Sequence, residues 1–386
     1  MFLSKLDSLS NAQKLVSDNH KLTEVEEIPL FEAHKRVLAE DIIAFHDSPP
    51  FDKSAMDGFA VIGENTFGAS QSAPKQLKIV DAIGAGDFSD KTVGENEAIV
   101  IATGAPIPDG ANAVIMKEYT TTDGDELTIY SQVTPGENVS PKSEDIEKGQ
   151  KILNKNTFIR YQELGLIASA GYDTVKVFKK PKVKIIITGN ELVEPTKEEI
   201  DKAKIINSNQ FTIKALVEDS GAVAEIIHAG DTFDEVKEAI LKASEDYDVI
   251  MTTGGTAISK GDVVLDVVDD IGEILFHGVA IRPGKPAGAG VVNGKMVFTF
   301  SGQPVAAMSQ FDMFARKYLF EMQGRAFDFH IVHRESQLKI PSQLGRTDFI
   351  RAVSDDEYAK HVLNRGSGII RSMVEANSYI IIDEND

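Results

Sequence analysis

Leu6, Leu9, Ala12, Leu15 and Val16 recur at helical spacing, and Ser10 with Gln13 predicts a capping box on this first helix. A second short helix is predicted over Glu32 to Leu38, entered through Pro29. From about Asp47 to Pro135 the pattern turns to short β-branched segments. They are separated by Asp57-Gly58, Gly84-Ala85-Gly86, Pro108-Asp109-Gly110 and Asp123-Gly124, the punctuation of a β-rich unit. Helical spacing returns between Ile159 and Ala170, with Tyr161, Leu164, Ile167 and Ala168 on one face.

From Val183 the periodicity changes again. Val183–Ile187 is a continuous apolar run ending at Thr188-Gly189, as in a buried parallel strand. A helix over Phe211–Val217, a strand over Ala224–Ala229 and an amphipathic helix over Phe233–Ser244 are predicted next. Asp248–Thr252 reads as a strand ending in Thr253-Gly254-Gly255, followed by a helix through Val263–Val268. Val297–Phe300 is a further strand, followed by a Gly/Pro turn and a helix over Val305–Leu319. This alternation predicts a doubly wound α/β domain. Beyond about Gly324 the chain reads as β-rich, with strands at Ser336–Ile340, Asp348–Ser354 and Tyr379–Ile382. No internal repeat or low-complexity segment interrupts it.

At 386 residues the chain is long enough for two to four compact units. Sixty acidic against 40 basic side chains give a formal charge of −20, which repels a phosphate backbone and disfavours nucleic-acid partners. Any anionic ligand must be met by a local nest of Lys, Arg and backbone N–H groups. The absence of Cys removes disulfides, thiolate catalysis, zinc-thiolate sites and iron–sulfur clusters. No apolar run reaches the roughly 18 residues of a membrane helix, and the N-terminal stretch lacks a signal-peptide core. A cytoplasmic protein with no membrane partner is expected.

Open α/β sheets bind ligands beyond the carboxyl ends of their strands. Three such ends carry chemistry here. At Thr188-Gly189-Asn190-Glu191 a tight turn projects a carboxylate, and at Thr253-Gly254-Gly255-Thr256 glycines let backbone N–H groups approach an anion, with Asp262 near the next helix start. At Ser301-Gly302-Gln303-Pro304 the proline suits the first turn of a helix, whose N-terminus attracts anions. Upstream, Arg282-Pro283-Gly284-Lys285-Pro286 holds two cations in a stiff turn. Each feature alone also reads as an ordinary turn or a solvated charge. Together they suit phosphoryl or nucleotidyl chemistry with magnesium. The eight His show no zinc spacing, and no Walker, nucleophile-elbow or dinucleotide fingerprint is present.

The stretch Pro49-Pro50-Phe51-Asp52-Lys53-Ser54-Ala55-Met56-Asp57-Gly58-Phe59-Ala60 closely resembles the signature of the molybdopterin molybdenumtransferases, the MoeA family that includes the gephyrin E domain. Further similarity follows in family order at Thr103–Pro106, Asp109–Val114, Pro135–Asn138, Glu144–Ile146, Thr188–Leu192, Asn207–Asn209, Thr253–Gly255, Arg282–Pro286 and Ser301–Val305. The resemblance spans about residues 5 to 325; the tail after 325 matches in character only.

The resemblance implies a multidomain α/β-plus-β chain in an elongated homodimer. Residues 1–46 and 137–178 would form a discontinuous helical dimerisation domain, and 47–136 an inserted β-rich domain. Residues 179–325 would form a MogA-like, doubly wound α/β domain that binds molybdopterin, and 326–386 a small C-terminal β-barrel. The implied activity inserts molybdate into adenylylated molybdopterin and releases AMP, with Mg2+. Other molybdenum cofactor biosynthesis proteins are possible partners. Asp57, Glu191 and Asp262 match acidic site positions and would hold the metal; Lys285, Thr103 and Asp145 complete the implied catalytic set. Gly254, Gly255, Ser259, Asp231, Asn207, Ser208, Arg282, Pro283, Gly284, Ser301, Gly302 and Pro304 would bind substrate.

Departures from the family pattern cluster at the same turns. Ala257 stands where Ser is usual and Ser259 where Gly is usual, so one oxyanion donor is lost or displaced. Asn190 and Asn207 replace Asp, Lys53 and Gln303 replace Asn, and Ser140 and Ser143 replace Arg and Gly. Two other readings therefore stay open: a family member that binds pterin or protein without turnover, and a different nucleotidyl transferase on the same α/β domain. The second leaves the 49–146 motifs unexplained.

Overall fold

The computed structural model describes residues 6–254, 262–363 and 366–385. The chain divides into two compact units, both discontinuous: Glu27–His34 with Glu40–Val175, and Met1–Glu26, Lys35–Ala39 and Lys176–Asp386.

The 27–175 unit is built on a six-stranded mixed sheet in the order Ala113–Met116, Gly58–Val61, Glu97–Ile101, Lys75–Ile83, Glu126–Ile129, Thr120–Asp123. Side-chain alternation splits its apolar residues between two faces. Phe59, Val61, Ile115, Leu127 and Ile129 pack on one side, while Ala60, Ile83, Ile99, Ile101 and Val114 pack on the other. Gly58 is fixed by crowding, since a Cβ there would lie 2.0 Å from the Ile115 carbonyl oxygen. That places Asp57 at the start of a buried strand.

The larger unit carries a six-stranded sheet ordered Val223–Ala229, Lys182–Thr188, Val249–Thr253, Lys295–Phe300, Gly288–Val292, Glu273–His277. The first four strands are parallel; the last two add antiparallel to the edge. Val183, Ile185 and Ile187 face a core with Ile213, Val217, Phe298 and Phe311, and Ile186, Ile250 and Val297 face Val236, Ile240, Val264 and Val268. Helices thus cover both faces, as the doubly wound reading expects. The closing antiparallel pair is the difference: Gly288–Val292 is glycine- and alanine-rich and turns back through Asn293-Gly294, both at positive φ.

Helix Leu9–Asp18 buries Ala12 and Val16 in this same α/β core, which is why the segment up to Glu26 packs with residues 176–386 rather than with 137–175. Its N-cap is Ser8, whose Oγ accepts from the Asn11 N–H at 3.2 Å, in place of the Ser10–Gln13 box. Over Glu32–Leu38 only the 3-10 turn Leu30–Glu32 forms, because Lys35 takes φ 62° and breaks the helical path. On helix Tyr161–Ser169 only Ile167 is buried; Tyr161 is 75% exposed. The helix expected over 305–319 runs Pro304–Gln310, widens to a π-helical turn at Phe311–Ala315 and resumes over Arg316–Met322.

The C-terminal strands Thr347–Ser354, Tyr358–His361, Ser378–Ile382 and Glu335–Ser336 form a five-stranded sheet together with Ile281–Arg282. Among the described residues its pairings do not close a ring. The strand expected over 336–340 is two residues long, and helix Arg371–Glu375 and strand Tyr358–His361 carried no clear periodicity.

Candidate functional site

The parallel strands end in register: Ile187 pairs with Thr253, and Thr253 with Phe300. Gly189, Gly254 and Ser301 therefore leave the sheet side by side. Gly254 has φ +96°, and a Cβ on it would lie 2.2 Å from the Thr188 carbonyl oxygen. A Cβ on Gly302 would sit 3.5 Å from the Gly254 Cα, so the two glycine turns run against each other.

Asn209 bridges these turns. Its Nδ2 donates to Thr253 Oγ1 at 2.8 Å and to the Gly302 carbonyl at 3.0 Å. Asn207 Oδ1 accepts from the Gln210 N–H at 3.2 Å at the start of the same helix, next to Ser208. Buried side-chain atoms without a partner among the described residues include Thr188 Oγ1, Asn207 Nδ2, Asn209 Oδ1 and Asp262 Oδ2. Buried polar atoms are normally paired, so this concentration around the strand ends leaves hydrogen-bonding capacity for a ligand.

The acids differ in state. Glu191 is exposed and folds back over Gly189, its carboxylate oxygens 2.9 and 3.0 Å from where a Cβ would stand. Asp231 Oδ2 accepts from the Asn190 N–H at 2.9 Å, and Lys204 Nζ donates to the Asn190 carbonyl at 2.7 Å, so Asp231 anchors the turn that carries Glu191. Asp262 caps helix Val263–Ile271 through Oδ1, accepting from the Leu265 N–H at 3.1 Å, and is only 4% exposed. Burial pushes its pKa up to about 7. Its free Oδ2 faces His277 Nε2 at 3.7 Å, and burial likewise pushes the His277 pKa down.

The cations also differ. Lys285 is exposed and makes no ion pair among the described residues. Arg282 Nη2 instead donates to Asp348 Oδ2 at 2.7 Å, and that fully buried carboxylate also accepts from Ser342 Oγ and Arg346 Nε. Arg282, Pro283, Ser342, Arg346, Phe349 and Arg351 line a cavity of about 540 Å³. The Pro304 helix is less open to anions than expected: its Val305 N–H already donates to the Ser367 carbonyl at 2.9 Å. Gly255 and Ser259, with Ala257, lie outside the described residues.

In the other unit Asp57 Oδ1 accepts from the Thr103 N–H at 2.8 Å and the Thr103 hydroxyl at 2.7 Å. These bonds, with Lys117 at 3.7 Å, hold the Asp57 carboxyl below its usual range. Asp145 is exposed, and no hydrogen bond joins it to this pair among the described residues.

Residues 7–171 match the MoeA N-terminal region (domain I and II), 184–321 the "Probable molybdopterin binding domain", and 335–386 the MoeA C-terminal region (domain IV). A relative from Methanocaldococcus jannaschii named for molybdopterin biosynthesis is 38% identical over 99% of this chain and 95% of its own. The chain belongs to the MoeA family. The molybdopterin molybdenumtransferase of Staphylococcus aureus is 37% identical, over 81% of this chain and 74% of that one. The crystal structure of the molybdopterin biosynthesis MoeA protein from Pyrococcus horikoshii matches with TM-score 0.86 and 35% identity, over 99% of this chain and 96% of that one. The protein is therefore an enzyme of the molybdopterin molybdenumtransferase class, acting in molybdenum cofactor biosynthesis. The C-terminal match also covers the tail in which the sequence carried no clear motif.

Gln310, Asp348, Arg346 and Arg351, outside the sequence-derived motifs, are prominent in this MoeA chain, as is Asn209, which lies in the Asn207–Asn209 motif but was given no site role there. Gln310 left one usable signal, an uncharged amide beside Ser309 in the largely apolar stretch Val305–Phe311. Magnesium is the metal the family reading implies. No three His, Asp or Glu side chains cluster as a metal cage among the described residues. Magnesium commonly takes one or two carboxylates plus waters and phosphate oxygens, and the exposed Glu191 can act as such a single ligand. The buried Asp262 instead sits against His277 on the far edge strand, and no contact joins the two acids among the described residues.

Proposed function

We propose that this chain inserts molybdate into adenylylated molybdopterin and releases AMP, in a magnesium-dependent reaction carried out by a cytoplasmic homodimer. The observation that carries the reading is the junction of the two turns bearing Ser301 and Lys285 beside the Gly254–Gly302 contact. Glycine at both positions lets a ligand reach backbone, and the exposed Lys285 supplies a compact point charge suited to a tetrahedral oxyanion. Against a −20 chain, that local charge is what attracts a dianion.

Ser301 Oγ accepts from the Gln303 N–H at 3.2 Å, which orients the hydroxyl to donate to the oxyanion. Asn209 holds the strand ends, and the amide atoms of Asn209 and Asn207 without a hydrogen bond suit the polar edge of a pterin nucleotide. Glu191 would hold magnesium together with waters and phosphate oxygens, and Asp57 would serve the same chemistry as an ionised carboxylate. Bound magnesium would neutralise phosphate oxygens as AMP leaves.

AMP release measured across a molybdate titration tests the assignment. Removing a charged hydrogen-bond partner costs about 1.5–3 kcal/mol, so Lys285→Ala is expected to raise the molybdate requirement by about tenfold to a hundredfold with fold unchanged. An unchanged molybdate dependence would place the oxyanion elsewhere and favour a pterin-binding scaffold without turnover.

A further inference from the structure

We propose that Gln310 is a positioning residue that clamps the Ser301 turn to the Gly284-Lys285 turn and so sets the oxyanion subsite; this rests on the oxyanion reading given above. Gln310 is fully buried at the end of helix Pro304–Gln310, where the chain widens into its π-helical turn. Its Oε1 accepts from the Ser301 N–H at 2.7 Å and its Nε2 donates to the Gly284 carbonyl at 2.7 Å. Both partners are backbone atoms, and they belong to two turns 17 residues apart in sequence, at 284 and 301. The amide fits only one way round, oxygen toward the N–H and nitrogen toward the carbonyl.

The packing is equally specific. A Cβ on Gly284, which has φ +103°, would lie 2.8 Å from Gln310 Cγ, so the glycine exists where the glutamine passes. The clamp has a chemical consequence. With the Ser301 N–H consumed by Gln310, the turn can offer an oxyanion the Ser301 hydroxyl but not that amide. Gln310 thus bonds directly to both the turn that carries this hydroxyl and the turn that carries Lys285, and contributes to the spacing between them. A binding subsite that must match a small tetrahedral anion is sensitive to such spacing.

Gln310→Met keeps the volume and removes both bonds. The molybdate concentration giving half-maximal AMP release is expected to rise about tenfold, with kcat at saturating molybdate and the affinity for adenylylated molybdopterin each within about twofold of the parent. A merely structural glutamine would move all three together, and that outcome overturns the proposal. Lys285→Ala separates the two claims. If it raises the molybdate requirement while Gln310→Met leaves it unchanged, the clamp is wrong and the subsite stands. If neither variant responds, the subsite reading fails and the clamp with it. Should Gln310→Met not fold, hydrogen exchange in the parent decides: the Ser301 amide must exchange slowly before molybdate is added, and fast exchange overturns the clamp.

Discussion

Asp262 shows at the residue scale how burial and function oppose each other. Its folded pKa of about 7 lies above the ordinary carboxyl value of 3.8, so the folded state holds a proton that the unfolded state has released. Stability therefore falls as pH rises from about 4 to about 7, at about 1.4 kcal/mol for each pH unit, and is flat above that window. Asn caps a helix as well as Asp does but cannot ionise. In metal-free protein, Asp262→Asn should gain stability over the parent across that window, as read by denaturant unfolding at pH 4, 5.5 and 8. A stability difference independent of pH would show that Asp262 is not held near neutrality. The acid itself was legible in the sequence as a position before a helix. Its burial and its approach to His277 depend on strand Glu273–His277, whose pattern was too weak to predict.

At the element scale the four parallel strands and the helices of the α/β unit were read to within a few residues, because most of those strands are apolar runs closed by glycine-containing turns. The antiparallel edge strands Gly288–Val292 and Glu273–His277 were not read. Where the reading failed, a backbone or packing event decided. Lys35 at positive φ ended one helix, and the core contacts of Ala12 and Val16 drew the N-terminal helix away from its expected neighbours. Gln310 received no role from the sequence because its partners are backbone atoms, and an amide within an apolar stretch does not say what it bonds. Gly254 sits at the crossing of two such elements. Its φ of +96° and the 2.2 Å approach to the Thr188 carbonyl oxygen make any side chain a strain. Gly254→Ala should destabilise the α/β unit by about 3 kcal/mol or more, measured by the denaturant midpoint. A loss within about 0.5 kcal/mol would mean the turn is open.

At the scale of the whole molecule, the −20 charge and the absence of cysteine narrowed the chemistry before any motif was read. The family motifs supplied Asp57 and Glu191, which lie in separate compact units. Symmetric C2 dimers are the commonest assemblies, and light scattering is expected to give about twice the 42.0 kDa chain mass. A monomer that retained activity would contradict the homodimer. Substituting the exposed Glu191 or the turn residue Asp57 removes no core packing, so Glu191→Ala and Asp57→Ala should fold like the parent. AMP release from adenylylated molybdopterin, with magnesium and with or without molybdate, tests the central claim most directly. The account predicts rapid release by the parent only when molybdate is present, and none above background from Asp57→Ala or Glu191→Ala. Release that ignores molybdate, or that persists at the parent rate in either variant, would contradict it.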